Sequence, residues 1–465
     1  MSALDAKILA ARAVGELARR AGRGGGTSLP GKLLTRLDPS AIERLAARLP
    51  RGSAVVSATN GKTTTAAMAA AILQRAGIAL VHNRAGANMA GGVASTLAAA
   101  ARPRGAMTGE LGLFELDEFW LDRVSVALAP RAVLLANLFR DQLDRYGELE
   151  AIADRWAAAV AALPATARLA LNADDPLVAD LGRDRPEVTY FGVQDRSLAL
   201  PEMQHAADSK HCRRCGTAYA YDAIYLGHLG VYHCPACGQQ RPTPAVAAET
   251  VALHGTRAAS FTLRTPEGDA DVHLPLPGLY NVYNALGAAA LCRSLGLSPA
   301  AIADGLRRVS AAFGRAERIA VDGHELSVLL IKNPAGANEV LRTLALEAGE
   351  LHLLAILNDR IADGRDVSWI WDADFELLAG RARRITCAGT RAAELAVRCK
   401  YAGVPPERLE VVADLGAALT RALSAAPPDG AVYALPTYTA LLALRAELAR
   451  RGLAGRFYES AAAAG

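Results

Sequence analysis

The run "SAVVSATNGKTTTAAMAAAILQRAG" (53–77) leaves few folds open to this chain. A short apolar strand enters a turn, and an alanine-rich helix starts at once. In that arrangement the backbone N–H groups at the helix N-terminus face any anion lying over the turn. Gly61, Lys62 and Thr63 occupy the positions at which a phosphate-binding loop needs its glycine, its phosphate-neutralising lysine and its magnesium-ligating hydroxyl. Val56 stands where that loop's first glycine would be. With Thr59, Asn60 and Thr64 the segment is a candidate ATP site. A second half-match, "GTSLPGKL" (26–33), has Leu33 in place of the hydroxyl and no strand before it, and we expect it to be a decoy.

The same alternation recurs. "RAVLLAN", "ARLALNADDP", "ELSVLLIKNP", "LHLLAILND", "ARRITCAGT" and "AVYALP" are strand-like pieces separated by Ala/Leu helices. The pattern predicts an α/β fold with parallel sheets covered by helices. We expect an N-terminal helical segment over 1–50, with helices at 3–21 and 39–48 and a glycine loop between them. A central ATP-binding domain should follow over 51–313. A C-terminal Rossmann-like α/β domain should cover 314–465.

Apolar residues make up 52 % of the 465 positions and the formal charge is only +4, which argues against a nucleic-acid binder. No apolar run approaches the roughly 20 residues of a membrane span, and the N-terminus does not resemble a signal peptide, so a cytoplasmic protein is expected. Lysine is scarce, at six positions against 45 arginines. A lysine in a functional setting is therefore informative.

Residues 205–241 interrupt the α/β pattern. Cys212-x₂-Cys215, then eighteen residues, then Cys234-x₂-Cys237 is the spacing of a four-cysteine zinc ribbon. Such a closed site has no open coordination position, so the zinc is expected to be structural. His205, His211, His228 and His233 should pack around the ribbon rather than bind metal. Cys292, Cys387 and Cys399 look like core or helix-surface residues.

"TNGKTTT" resembles the loop of the Mur ligases and folylpolyglutamate synthases, and further segments match in the same order. "FELDEF" (114–119) resembles their strand end with a magnesium-binding glutamate, which implies Glu115. "LANLFRDQLDRYGE" (135–148) is similar to their Asn/Asp segment and offers Asn137, Asp141 and Asp144. "LNADDP" (171–176) also matches. "GLYNVYNALGAA" (278–289) resembles the adenine-side helix, implying Asn281 and Asn284, and "GRAER" (314–318) resembles the hinge whose arginine, here Arg315, reaches the nucleotide phosphates. The resemblance implies an acyl phosphate formed from ATP and a carboxylate, then attack by a nitrogen nucleophile. One feature departs from the amino-acid-adding Mur ligases. Their carbamylated lysine has no counterpart, because no lysine lies between Lys62 and Lys210.

The C-terminal part is similar to the MurT family, the synthetase subunits of lipid II isoglutaminyl synthases, through "LIKNPAGANEVL" (330–341) and "NDRIADGRDVSWIWD" (358–372). That resemblance implies ATP-dependent amidation of the D-glutamate α-carboxyl in lipid II, with ammonia from a separate glutaminase subunit, GatD. It also implies that this chain lends an aspartate to the partner's catalytic triad. Asp366 is favoured, then Asp363, with Asp359 and Asp372 still open, and the tryptophans would supply a docking surface. The alternative is a capped turn with buried tryptophans. Lys332, Asn333 and Asn338 are candidates for the substrate site. Other readings of the whole chain are an amino-acid-adding Mur or folylpolyglutamate-type ligase, or a nucleotide-binding scaffold without turnover.

Overall fold

The computed structural model describes residues 3–20, 28–83, 87–102, 105–141, 149–204, 207–309 and 315–453. Two α/β units make up its bulk. In the first, β1 (Ser53–Ser57), β2 (Leu80–His82), β3 (Leu111–Glu115), β4 (Ala132–Leu135), β5 (Arg168–Asn172), β6 (Val188–Val193), β9 (Val246–His254), β10 (Ala258–Thr265) and β11 (Gly268–Leu274) form one sheet. Its spatial order is β11-β10-β9-β6-β5-β4-β1-β3-β2. Pairing is parallel from β2 to β9 and antiparallel from β9 to β11.

Side chains alternate across this sheet, as the strand period requires. Ala54 and Val56 enter one core, with the helices Lys62–Arg75 and Leu279–Ser294. Val55 enters the other, with the helices Ala90–Ala100 and Leu149–Ala162. Every residue of β1 and β3 is buried, as expected of central parallel strands covered on both faces.

In the second unit β12 (Arg315–Val321), β13 (His324–Leu329), β14 (Leu351–Ile356), β15 (Ala382–Ala388), β16 (Leu409–Val411) and β17 (Ala431–Pro436) lie in the order β12-β13-β17-β14-β15-β16. Only the β12–β13 hairpin is antiparallel. A separate two-stranded hairpin, β7 (Ala220–Leu226) with β8 (Leu229–His233), stands between β6 and β9 in sequence and presents the cysteine pairs.

The N-terminal region differs from expectation. Besides Ala3–Arg20 it has two short helices, Leu29–Leu37 and Ala41–Ala46, and the first of these takes in the end of the expected glycine loop. Pro30 sits at the start of that helix, where its missing N–H costs nothing. Gly31 then allows a close helix crossing, since a Cβ there would lie 1.9 Å from the Gly91 carbonyl oxygen. The decoy's glycine and lysine are thus helical residues, and Lys32 is exposed. Among the described residues no helix is long and apolar enough to cross a membrane.

Candidate nucleotide and metal sites

β1 and β3 are neighbours, so the turns at their C-terminal ends meet, which is where ligands collect in such sheets. Gly61 caps the helix Lys62–Arg75 with a φ of +81°, a conformation that favours glycine. A Cβ at Gly61 would lie 2.0 Å from Asn284 Oδ1. The loop is clamped to the segment after β4. The Asn60 N–H donates to Asn137 Oδ1 (2.9 Å), Asn137 Nδ2 donates to the Asn60 carbonyl (3.0 Å), and the Phe139 N–H donates to Thr59 Oγ1 (3.1 Å).

Thr63 Oγ1 donates to Glu115 Oε1 across 3.1 Å. Glu115, the last residue of β3, is buried, and its backbone is held in both directions by the Asn83 amide at 2.8 Å. Asn284 Oδ1 accepts from Thr65 Oγ1 (3.1 Å), and Asn284 Nδ2 donates to Asn281 Oδ1 (3.1 Å), so the two asparagines of the helix Leu279–Ser294 lie against the loop. Arg315 opens β12, but its side chain lies outside the described residues, as do Asp144 and His205.

The sequence reading missed Glu118. Its Oε2 accepts from Lys62 Nζ at 2.7 Å, and the same ammonium donates to the Ala58 carbonyl at 2.5 Å. Burial alone would raise the Glu118 carboxyl, but the charges of Lys62 and Lys332 outweigh it and hold the group below its ordinary range. Asp117 moves the other way, raised by burial and by the negative charge of Glu118. The clue was a lysine at a helix start whose buried ammonium needs a counter-charge. The acidic run "ELDE" held it.

The second unit closes this site. Asn333 caps the helix Pro334–Ala345 through the Gly336 N–H (2.9 Å), and its amide pairs in both directions with that of Asn60, at 3.2 and 3.0 Å. Lys332 Nζ forms an ion pair with Asp141 Oδ2. Asp141 is buried, its Oδ1 has no hydrogen-bond partner among the described residues, and burial raises its carboxyl despite the Lys332 charge. A cavity of about 350 Å³ results, lined from one side by Thr59 to Thr64, Glu115, Asn281 and Asn284, and from the other by Lys332, Gly336 and Glu339. Asn338, expected in the same site, does not line it. It lies between the lining residues Gly336 and Glu339 but is buried, and its Oδ1 accepts the Asp374 N–H (2.7 Å).

The "LNADDP" segment has structural duties. Asp175 caps the short helix Pro176–Asp180 and accepts the Leu138 N–H (2.9 Å). Asp174 binds Arg241 Nε (2.6 Å), Tyr283 Oη (2.6 Å) and the Val193 N–H (2.9 Å).

The sulfurs of Cys212, Cys215, Cys234 and Cys237 all lie within 4.8 Å of one another. With sulfur about 2.3 Å from a zinc ion, a tetrahedron separates its corners by about 3.8 Å, so the four residues fit that metal. In each pair the glycine after the second cysteine turns back, Gly216 at φ +75° and Gly238 at φ +73°, and donates its N–H to the first cysteine's carbonyl. No described histidine joins the cluster. His228 packs elsewhere, its ring 4.8 Å from that of Phe139. Cys292, Cys387 and Cys399 are buried.

In the acidic segment the carboxylates divide by their partners. Asp363 is buried and holds the start of the helix Tyr438–Arg450, accepting from the Thr439 N–H (2.7 Å) and Oγ1 (2.5 Å). Asp359 accepts from Thr390 Oγ1 and Arg391 Nε, both at 2.8 Å. Asp372 is exposed, 4.0 Å from Arg140. Asp366 is exposed and, among the described residues, accepts only from Ser368 (N–H at 2.8 Å), which lowers its carboxyl. Ile370 is buried and Trp369 half-buried, whereas Trp371 is 52 % exposed beside Tyr401, at 73 %. The buried guanidinium of Arg398 supports Trp371 from below, 5.5 Å from its ring.

Residues 330–441 match the family described as MurT ligase C-terminal, and residues 56–232 match the Mur ligase middle domain. A Staphylococcus aureus (strain N315) protein, lipid II isoglutaminyl synthase (glutamine-hydrolyzing) subunit MurT, is 33 % identical over 439 residues, which is 94 % of this chain and 96 % of that one. Its Streptococcus pneumoniae namesake is 32 % identical over 446 residues, 96 % of each. Among solved structures, a pseudomurein peptide ligase type C from Methanothermus fervidus superposes with a TM-score of 0.64 at 22 % identity, covering 87 % of this chain and 79 % of that one.

Proposed function

The chain belongs to the MurT family, and from that premise and the cavity's geometry we propose that it is the ATP-dependent synthetase subunit of a lipid II isoglutaminyl synthase. It converts the α-carboxyl of D-glutamate in the lipid II stem peptide to a carboxamide, giving D-isoglutamine. The observation that carries this reading is that a phosphate loop from one unit and the MurT-like segment at 330–336 from the other line one cavity.

In this reading the loop Thr59–Thr64 holds the ATP phosphates through backbone N–H groups at the helix N-terminus, and Lys62 leaves Glu118 to neutralise them. Thr63 and Glu115, whose oxygens already meet, would hold Mg²⁺, which when bound screens the phosphate charge. Asn281, Asn284 and Arg315 complete the nucleotide site. The γ-phosphoryl group passes to the carboxylate to give an acyl phosphate, and ammonia displaces phosphate. Lys332 faces the same cavity and would orient the carboxylate.

The four cysteines hold a structural zinc, and residues 1–50, 51–313 and 314–465 act as helical, ATP-binding and partner-binding parts. Ammonia comes from the glutaminase GatD in a heterodimer. Asp366 orients that partner's histidine, because Asp363 and Asp359 are already committed within this chain and Asp372 faces Arg140, and Trp371 with Tyr401 forms the docking surface. The enzyme works in the cytoplasm, at the inner face of the membrane. Incubation with Mg-ATP, lipid II and an ammonium salt, without a partner, tests the chemistry. Phosphate release with exchange of one carboxyl OH for NH₂, read by mass spectrometry, is expected. Joining of a free amino acid instead would make this a conventional ligase.

A further inference from the structure

The N-terminal helix Ala3–Arg20 buries one face and leaves an apolar one outside. Leu4, Ile8, Ala11 and Gly15 are buried. The exposed positions among residues 4–18 are 6, 9, 10, 13, 14 and 17, and all six are alanine, leucine or valine. Leu9 is 50 % exposed, Val14 37 % and Leu17 66 %. These positions follow helical spacing, so they form one stripe. A solvated helix normally puts its charges there. Here they sit at the edges: Asp5, Lys7, Arg12 and Glu16 are half-buried, with Lys7 bonded to Asp38 and Arg12 to the Ala98 carbonyl.

The charge of the region supplies the second observation. Residues 1–50 hold nine lysines and arginines against four aspartates and glutamates, a net of +5, while the whole chain nets +4. The part that carries the stripe is therefore cationic as a whole. An apolar helix face in a cationic setting fits an anionic bilayer surface, with the helix lying in the headgroup plane.

We propose that the helix Ala3–Arg20 docks this protein on anionic membranes through Leu9, Val14 and Leu17. This goes beyond the amidation reading and does not depend on it, although a lipid-linked substrate would give such docking a use. Sedimentation of the full chain with phosphatidylglycerol vesicles, free of lipid II, tests it against phosphatidylcholine vesicles and against Leu9→Gln/Leu17→Gln. The wild type should pellet with the anionic vesicles only and release in high salt, and the variant should bind at least about tenfold more weakly. Circular dichroism of the variant should match the wild type, since both positions are exposed. Failure of the wild type to pellet, or equal pelleting by the variant, overturns the proposal. So does a wild-type dimer that ignores vesicles and becomes monomeric in the variant, which would assign the stripe to a second copy of the chain.

Discussion

Replacing Gly61 by alanine tests how the phosphate loop is built. Two separate costs are written in the structure. At φ +81° an alanine adopts the left-handed conformation, which costs about 1–2 kcal/mol. Its Cβ would also stand 2.0 Å from Asn284 Oδ1, a side chain held by Thr65 and Asn281, and overpacking of this kind costs about 1–3 kcal/mol. The sum is about 2–5 kcal/mol, or a fall of about 4–10 °C in melting temperature for a unit of this size. In an Asn284→Ala background the obstruction is gone and only the backbone term remains, so the two substitutions should couple by about 1–3 kcal/mol. Thermal unfolding of the four proteins of this cycle, followed by circular dichroism, measures that coupling. Equal losses from Gly61→Ala in both backgrounds would refute the role of Asn284 as the wall behind the loop. A loss below about 1 °C would refute the backbone argument too.

Purified protein should release about one zinc per chain when its thiols are titrated with a mercurial, and Cys212→Ser should release less than about a fifth of that. Asp366→Asn should abolish glutamine-driven amidation with GatD while ammonium-driven amidation stays unchanged. Asp363→Ala should instead lower stability by about 1 kcal/mol, through the lost acceptor for the Thr439 N–H, and this is read by thermal unfolding. Asp141 has a folded-state value raised above its ordinary 3.8, so the folded protein binds the extra proton and wild-type stability falls as pH rises through that window. The melting temperature of the wild type minus that of Asp141→Asn should therefore grow as pH is lowered from 7 towards 4.

What could be read from the sequence was local pattern. The strand–turn–helix at 53–77, the CxxC pairs and the strand–helix alternation each declare themselves within a few residues, because period and turn chemistry act at short range. The helix Leu29–Leu37 was misread for the same reason. Proline and glycine in "SLPG" signal a loop locally; Pro30 is tolerated at the helix start, and the packing of Gly31 on Gly91 shows why a glycine belongs there. Glu118 stood inside a quoted motif, but nothing local distinguished it from Glu115. The distinction comes from β3 and the turn after it, which direct Glu115 to Thr63 and Glu118 to Lys62.

The lysine absent between Lys62 and Lys210 shows where such reading stops. The cation that meets Asp141 is Lys332, which comes from the start of the helix Pro334–Ala345 in the other unit. It also helps hold the Glu118 carboxyl down and acts on Asp117, so its charge bears on three acids of the first unit. The cavity's polar wall then contains Glu115, Asp117, Glu118, Asp141 and Glu339 against Lys62 and Lys332, and burial raises Asp117 and Asp141 there, with the charge of Glu118 adding to it. A Mg²⁺ ion held at Thr63 and Glu115 would relieve part of the acidic excess. One of the two lysines thus arrives with the second unit, so that unit supplies half of the positive charge facing these acids. The same unit supplies the Asn333 amide that pairs with Asn60, so both Asp141 and the phosphate loop are held by contacts from outside their own unit.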